Sequence, residues 1–564
     1  MRDDKSKIQN PKSKMDWLWL ALIGLAVQGL WAWRLTRPTY LDAYYYATNG
    51  RRLAAGYGFT EEVIWQFLDE PAGLPTPSHT YWTPLPSLLA AAGYKLSGGF
   101  RGAQLPFWLL AGLLPLLAYT ISHQLAGERW QAWTAALLTA AGGYYSPLWN
   151  QPETFAPFAW AGGLCLLALA WASTGQHGYY WLAAGLTAGL AHLTRADGAL
   201  LLIVGLAVWL VASGRWQVAK SQSKIQNPKS KILWLLGGYL LIMAPWFWRN
   251  WIVLGRLLPT AGAQTLFLTT YDDIFAYGRS LTLDSFLAWG WGNILRSRLN
   301  GLWTAVQTFV AVNGLIFLTP FILWGWAGGK GAGEQGNRWQ VASGRWQSQS
   351  KIQNPKSKIQ KGFLRPLTWY SLALFLTMSL LFTFPGERGG LFHSSVALWP
   401  WFMALAALGL SRAVEWTAAR RPHWRPQRAR RNFAALFVGI AFVLSAALGL
   451  SRQSNEGQVT AYTRIGALLP ADAVVMVGDA PAFHYHTGLA AVSLPNEPPH
   501  ILLEAADRYG VGYLILDEDH PRLLTGLYSG NEQVAAVHFW QEFDGVKLYR
   551  LAVGRAFSLP YRAS

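Results

Sequence analysis

The strongest constraint on this chain is a succession of long apolar runs separated by charged segments. Of its 564 residues, 52% are hydrophobic and only 13% are charged, far from the charged quarter of a soluble domain. The runs fall at 17–36, 103–122, 130–150, 154–173, 178–193, 198–213, 232–248, 299–326, 366–385, 391–411 and 433–450. Most are long enough to cross about 30 Å of hydrocarbon, whereas the fifth and sixth are short, and a hairpin is expected where they meet at 192–198. The sequence therefore predicts a polytopic α-helical membrane protein with about 11 transmembrane helices.

The positions of Lys and Arg predict how these helices are oriented. Basic residues collect at the N-terminus and in the segments 215–231, 330–361 and 412–431. Loops rich in Lys and Arg stay in the cytoplasm. With eleven crossings in this order, an even number of helices lies between any two of the four segments, so all four lie on one side. We therefore expect an integral plasma (inner) membrane protein with a cytoplasmic N-terminus. The net charge of +18 belongs to these loops, so it does not indicate a nucleic-acid-binding module.

The same patterning divides the chain into three parts. Residues 1–16 form a cytoplasmic basic tail, and residues 17–451 form the transmembrane domain. In residues 452–564 the apolar runs shorten to strand length, which predicts a small extracytoplasmic α/β domain. Its strands are expected at 473–477, 490–494, 511–516, 534–539 and 546–551, with a helix at 501–509.

Two kinds of long loop interrupt the transmembrane domain. The outer loop 37–102 contains an apolar stretch at 81–96, which suggests a helix lying in the membrane interface. The cytoplasmic loops 212–231 and 327–362 are of low complexity. They and the N-terminal tail carry a repeat, Ser-Lys-Ile-Gln-Asn-Pro-Lys-Ser-Lys, at 6–14, 223–231 and 350–358. The repeat is either a binding segment for anionic lipid or a tolerated insertion.

One carboxylate stands just beyond the first apolar run, in Leu41-Asp42-Ala43-Tyr44-Tyr45-Tyr46. An acid beside a bilayer is costly, which makes Asp42 a candidate for a functional site. In a water-poor cleft, a raised pKa would suit a general base that takes a proton from a hydroxyl. The alternative is a helix-end residue in an aromatic belt, and these residues alone do not decide between the two.

Several arginines lie on the predicted outer side, where the orientation bias gives no reason for them. A guanidinium donates two parallel hydrogen bonds to a phosphate, so an anionic ligand is one explanation. Pairing with nearby acids is the other, and Arg195 and Asp197 are close enough in sequence to pair with each other. These arginines are Arg195, Arg249, Arg256, Arg279 and Arg388.

Further candidates have a structural and a functional interpretation each. Glu153 precedes the fourth apolar run, where it either caps the helix or contacts substrate. His393 follows Gly389-Gly390 and either donates to a phosphate or makes a structural hydrogen bond. The segment 517–520, Asp-Glu-Asp-His, follows a predicted strand and is expected to be a solvated turn. The sequence has no nucleotide-binding loop, dinucleotide fingerprint, zinc-ligand spacing or GxSxG motif. An activated substrate would therefore come from the lipid phase.

These motifs resemble those of the GT-C-type integral-membrane glycosyltransferases, the superfamily of protein mannosyltransferases and aminoarabinose transferases that use polyprenyl-phosphate sugars. The segment 42–60 resembles their first outer-loop motif, in which an acid is the catalytic base. Residues 192–198 resemble their helix-hairpin tip, 245–250 the end of their seventh helix, and 511–516 a strand of their outer domain. We predict Asp42 as the catalytic residue. The predicted substrate-binding residues are Tyr44, Tyr45, Glu153, Arg195, Asp197, Arg249, Arg388 and His393.

The chain departs from this family pattern at Leu41, where members often carry a second acid. A single carboxylate suffices for a base, but a divalent cation prefers several oxygen ligands. We therefore predict no metal-ligating residues and no certain cofactor, with a divalent metal as the less favoured alternative.

The resemblance implies an inverting hexosyl- or pentosyltransferase of the cell envelope. Its donor would be a polyprenyl-phosphate sugar, and its acceptor a hydroxyl of a lipid, glycan or protein on the extracytoplasmic face. The main rival is a transporter or flippase of lipid-linked sugars, but transporters usually show internal hydropathy symmetry, which this sequence lacks. A membrane-anchored scaffold is a second rival, and it would not require a carboxylate beneath an interfacial loop.

Overall fold

A computed structural model describes residues 11–175, 177–218, 228–327, 355–384, 386, 389–421, 423–451 and 456–552. Arg388 and most of the three repeats lie outside these residues. The last four residues of each repeat, Pro-Lys-Ser-Lys, are described, and in each copy the Pro is the first residue of a long helix. This is the helical position that best tolerates proline, because its missing N–H would have no partner there.

The described part of residues 1–254 forms nine α-helices and three very short strands. They are α1 Pro11–Arg34, α2 Leu41–Ala54, β1 Thr60–Glu61, β2 Val63–Ile64, β3 Thr76–Pro77, α3 Leu85–Ser97, α4 Gly99–Ala126, α5 Arg129–Ala141, α6 Phe155–Ser173, α7 Tyr179–Thr194, α8 Ala199–Val218 and α9 Pro228–Leu254. The predicted outer loop therefore contains two helices, α2 and α3, which pack against each other. Helix α3 corresponds to the helix expected at 81–96, whereas α2 was not expected.

Eight more helices follow before the chain reaches its final part. They are α10 Ala261–Gln264, α11 Leu283–Ala288, α12 Trp291–Gln307, α13 Thr319–Trp326, α14 Pro355–Leu380, α15 Gly390–Ser394, α16 Trp399–Ala418 and α17 Pro426–Ser451. A π-helical turn at Thr308–Asn313 separates α12 from α13. Helix α16 lies at the centre of the bundle, where every residue from 399 to 411 is buried. A helix that is apolar on all sides packs in this way.

Seven of the described helices are long and apolar enough to cross a membrane. The other predicted crossings coincide with helices that are shorter, interrupted or basic at one end. Helix α5 has 13 residues and α7 has 16, α12 and α13 are separate pieces, and α14 begins with lysines. The polytopic helical fold is confirmed, and the count of 11 crossings stays a prediction.

The final part of the chain builds a mixed sheet. Its elements are α18 Glu456–Leu468, β4 Val474–Val477, α19 Ala480–Thr487, β5 Ala490–Ser493, α20 Pro499–Tyr509, β6 Tyr513–Leu516, α21 Thr525–Ser529, β7 Val537–Phe543 and β8 Val546–Leu551. The strand order is β2-β5-β4-β6-β8-β7. The first four strands run parallel, and β8 and β7 are antiparallel. Strands β4 to β8 lie close to the predicted ones, but β2 comes from the first outer loop.

Candidate active site

A large cavity lies where the helix bundle meets the sheet. Its volume is about 1720 Å³, well above the range of about 300–1,000 Å³ that is usual for small-molecule sites. Its wall includes the start of α2, the turn between α7 and α8, the start of α15 and the ends of several strands. The cavity thus joins segments that are far apart in the sequence.

Asp42 lines this cavity from the first turn of α2. The residue before the helix, Tyr40, makes no side-chain cap, and an acid in a first turn is favoured by the helix dipole. Burial is the main cause that raises the pKa of Asp42 to about 7, and the nearby Glu153 carboxylate adds to it. Near neutral pH, such a carboxylate can accept a proton and release it again.

Glu153 and His393 lie beside Asp42. Glu153 is fully buried, Thr154 Oγ donates to its Oε1 at 2.7 Å, and His393 Nδ1 is 3.6 Å from the same oxygen. Burial raises the pKa of Glu153. One ligand atom from each of Asp42, Glu153 and His393 lies within 4.8 Å of the other two.

This convergence corrects one step of the sequence-based argument. The acid missing at Leu41 does not leave Asp42 isolated, because Glu153 supplies a second carboxylate. Two carboxylates and an imidazole are donors that suit a zinc-like or manganese-like cation better than calcium, which needs six to eight oxygens. If a cation were bound, Asp42, Glu153 and His393 would hold it. The absence of a metal site stays a prediction, and these three residues are where the less favoured alternative, a divalent metal, would bind.

Arg195 supplies positive charge to the same cavity. Its Nε lies 3.1 Å from Asp197 Oδ1 and 2.9 Å from Ser394 Oγ, and its Nη1 lies 3.5 Å from Thr154 Oγ. Ser394 also donates to Asp197. The predicted pairing of Arg195 with Asp197 is thus observed, and it holds the guanidinium in place. Gly389 and Gly390 line the cavity next to it.

Three predicted substrate-binding residues lie outside the cavity wall. Tyr44 hydrogen-bonds with His486 Nε2 at 3.0 Å, and the Tyr45 hydroxyl accepts from the backbone N–H of His79 at 2.7 Å. Arg249 donates to the backbone carbonyls of Phe59 and Ser78. Tyr44 thus connects α2 to α19, whereas Tyr45 and Arg249 bind within the first outer loop or to it. Their role as substrate contacts stays a prediction. Arg279 likewise pairs with Asp273 and Glu497.

Several residues that line the cavity were not among the predicted site residues. Tyr46 lines the cavity four positions after Asp42, and such a spacing on a helix places both residues on one face. Knowing that 41–54 is a helix would have added Tyr46 to the predicted site residues, since Tyr45 and Tyr46 follow Asp42 by three and four positions. The segment 517–520 also lines the cavity, with Asp517 only 8% exposed. Glu518 and Asp519 are exposed, as expected for a solvated turn, whereas the burial of Asp517 was not expected. The other overlooked lining residues include Arg34, Trp65, Tyr81, Trp82 and Asp479.

Comparisons with known proteins agree with this architecture. Residues 78–251 match the family model described as dolichyl-phosphate-mannose-protein mannosyltransferase. No curated protein matches the sequence.

Among solved structures, the chain is similar to the oligosaccharyltransferase AglB from Archaeoglobus fulgidus in complex with an inhibitory peptide and a dolichol-phosphate. The TM-score is 0.54 with 13% identity, over 98% of this chain and 75% of AglB. It is also similar to ArnT from Cupriavidus metallidurans in the apo state, with a TM-score of 0.55 and 14% identity over 95% of this chain and 98% of ArnT. For ArnT bound to undecaprenyl phosphate the TM-score is 0.51, with 14% identity over 94% and 98% of the two chains. At these identities the structural likeness shows the fold alone, and this fold agrees with the one that the resemblance to the GT-C superfamily implies.

Proposed function

We propose that this chain is a membrane glycosyltransferase that moves a sugar from a polyprenyl-phosphate donor to an acceptor hydroxyl on the extracytoplasmic face. The observation that carries the proposal is one cavity with Asp42 and Arg195 in its wall. A base and a phosphate-binding cation are the two groups that such a transfer needs. Asp42 would serve as the base and Arg195 as the cation.

The donor class is supported by the chemistry of the cavity wall and by the matched proteins. Apolar residues of α8, of α14 and of the position just after α14 line the cavity, among them Leu200, Ile203, Met378 and Leu381. Ile203 and Leu381 are also more than half exposed, so this side of the cavity is open to the apolar surroundings of the bundle. A polyprenyl chain can lie there while its phosphate reaches Arg195. Dolichol-phosphate and undecaprenyl phosphate are the lipids named in two of the matched structures.

The proposed reaction is a single displacement. The Asp42 carboxylate takes the proton of the acceptor hydroxyl, and the acceptor oxygen forms a bond to the anomeric carbon from the face opposite the phosphate. The bond from that carbon to the phosphate oxygen breaks, and its electron pair leaves with the phosphate. The configuration at the anomeric carbon is therefore inverted. Arg195, held by Asp197 and Ser394, is preorganised for the charge of the leaving phosphate. No second acid is then needed to protonate it, unlike in ordinary glycosidases.

The placement of the site in the membrane belongs to the same proposal. Eleven crossings, a cytoplasmic N-terminus and an extracytoplasmic unit at 452–564 would put Asp42, the turn at 195–198 and the sheet on the outer side. In this arrangement the basic segments face the cytoplasm, as the charge bias favours.

The proposal can be tested with the full chain reconstituted in nanodiscs and a radiolabelled polyprenyl-phosphate sugar. Wild-type protein should release polyprenyl phosphate and form a glycosylated product, and Asp42→Asn should abolish both. Asp284→Asn is the matched control, because Asp284 is exposed and is not among the cavity-lining residues. Full activity in Asp42→Asn would overturn the assignment of the base. Movement of intact donor across the bilayer, without cleavage, would favour a transporter.

A further inference from the structure

The parallel part of the sheet directs its strand ends at the cavity. Each of the four parallel strands is followed within three residues by a cavity-lining residue: Trp65 after β2, Leu494 after β5, Gly478 after β4 and Asp517 after β6. Strand β4 comes first in the sequence among β4, β5 and β6, with β5 on one side and β6 on the other. In open α/β sheets, ligands bind outside the carboxyl ends of the strands, where the chain order reverses in this way. Here that position lies between β4 and β6.

The two sides of this strand-end wall differ in chemistry. On the β4 and β6 side stand Asp479, Asp517 and Asp519. Asp479 accepts a hydrogen bond from the backbone N–H of Ala482 through Oδ1 only. Asp517 accepts from Gln458 Nε2 at 2.7 Å, which fixes its carboxylate. Among the described residues, none of these three acids forms an ion pair with a cation. Carboxylate oxygens of this wall are therefore available as hydrogen-bond acceptors.

The β2 side of the wall is aromatic. Trp65 stacks on Trp82 with ring centroids 3.9 Å apart and an angle of 13°, and Tyr81 packs edge-on against Trp65 at 5.0 Å. All three line the cavity, and Trp82 and Tyr81 are partly exposed within it. Large, rigid rings of this kind offer an apolar surface with polar edges. A sugar ring has the same character, with an apolar face and hydroxyls around its edge.

We infer that this strand-end wall binds the acceptor, and that the acceptor is a carbohydrate without negative charge whose hydroxyls donate to Asp479 and Asp519. The inference rests on the proposed function, because it names the second substrate of the same cavity. At the helix end of the cavity Arg195 lies near Asp42 and Glu153, whereas Asp479, Asp517 and Asp519 stand at the strand end without an ion pair among the described residues. An anionic acceptor would meet like charge at the strand end, which costs several kcal/mol in an interface. The donor phosphate and the acceptor are thus directed to opposite ends, with Asp42 in the same cavity wall.

Binding provides a test that does not require turnover. The full-length Asp42→Asn variant in nanodiscs is titrated by calorimetry with methyl maltoside, with its 6′-phosphate and with its 6′-amino derivative. We expect the neutral glycoside to bind at least about tenfold more tightly than the phosphate, since one tenfold step needs only about 1.4 kcal/mol. Adding Asp479→Asn and Asp519→Asn should reduce this preference to about threefold or less. Asparagine can still cap α19 at position 479, so this variant is expected to fold.

The matched control is Asp472→Asn, at the opposite end of β4, where the side chain is exposed and is not among the lining residues. It should leave the preference unchanged. Equal binding of the neutral and phosphorylated glycosides, weaker binding of the amino derivative than of the phosphate, or an unchanged preference in the double substitution would each overturn the inference. If selective binding is found but the wild-type chain cleaves no polyprenyl-phosphate sugar, the proposed function fails and the carbohydrate site stands.

Discussion

Two acids on the first outer loop, the half-buried Asp42 and the buried Glu61, can be compared. Both have a raised pKa with burial as the main cause, to about 7 for Asp42 and to about 8 for Glu61. Their surroundings differ. Asn49 Nδ2 donates to Glu61 Oε2 at 3.1 Å, and the only void that Glu61 lines among those described is about 10 Å³, room for about one water. Asp42 lines a cavity of about 1720 Å³.

The difference teaches that a shifted pKa does not by itself identify a functional acid. Glu61 is held by its neighbours, and no substrate can reach it. Its protonated carboxyl group therefore has a structural role. Asp42 has a similar shift, but it faces open space and lies beside a cation and a second acid. Access to a ligand, together with charged partners, distinguishes the two positions.

The largest effect on activity is expected when each of the two acids is replaced by its amide. Asp42→Asn should lower kcat for sugar transfer by about 10²–10⁴-fold, the usual contribution of a general base. Glu61→Gln should change kcat by less than about threefold, because the amide resembles the neutral acid that burial favours. Initial rates of polyprenyl phosphate release measure both. Comparable losses of kcat in the two variants would contradict the distinction between a functional Asp42 and a structural Glu61.

The cation near Asp42 offers the second test. Arg195→Lys keeps the charge but loses the planar fork that Asp197, Ser394 and Thr154 hold. We expect kcat/KM for the donor to fall by about 10- to 100-fold, in keeping with the roughly 1.5–3 kcal/mol of a hydrogen bond to a charged group. Arg249→Lys is the control for transfer chemistry, because Arg249 binds backbone carbonyls of the outer loop. Arg249→Lys should lower the thermal stability, and it should change kcat/KM little when only folded protein is assayed.

A smaller effect is expected from the contact that fixes α2. Burial lowers the pKa of His486 to about 4, so its neutral ring can accept a hydrogen bond from the Tyr44 hydroxyl at 3.0 Å. His486→Ala should shift the helix that carries Asp42 and lower kcat by about tenfold, because small misplacements of a reacting group reduce rates strongly. KM for the donor should stay unchanged, and His486→Gln should restore part of kcat.

The control for this contact is His500→Ala, an exposed position on α20. Tyr44→Phe should add no further loss to His486→Ala if both act through one hydrogen bond. Additive losses would show that His486 acts in another way.

The smallest effect concerns stability and pH. Because the pKa of Glu61 is raised from 4.5 to about 8 in the folded chain, the folded state binds the proton more tightly than the unfolded state does. The stability from this group is therefore fully present below about pH 4.5 and is lost as the pH rises toward 8. Thermal unfolding of the detergent-solubilised chain should show a shallower decline between pH 5 and 8 for Glu61→Gln than for wild type. A parallel decline would mean that Glu61 is ionised in the folded chain.

Much of the architecture could be predicted from the sequence because it depends on local patterns. Apolar runs of spanning length identify helices one at a time, and alternating short runs identify β4 to β8. Asp42 and Arg195 could be chosen because a charge is conspicuous beside an apolar run. Strand β2 could not be predicted, since its two residues pair with a strand more than 400 positions away.

The composition of the site depends on contacts that no local pattern encodes. Asp42, Glu153 and His393 come from three separate segments, and only the packing of the bundle brings them together. The three consecutive tyrosines show the same limit at short range. They point in three directions around α2, toward α19, into the loop and into the cavity, because successive residues on a helix are rotated by about 100°. Without the helix, the sequence cannot tell which one faces a substrate.

The pairing of β2 with β5 also has a consequence for how the protein is made. Val63 pairs with Ala491 and Ile64 with Val492, so the loop that carries Asp42 shares a sheet with a strand near the other end of the chain. Chains are synthesised from the N-terminus, and this loop must therefore wait, incompletely paired, until nearly the whole protein has been translated and inserted. A chain whose synthesis stops before β5 lacks the strand that pairs with β2. Synthesis of Ala490–Ser493 therefore completes the sheet that holds the loop with Asp42.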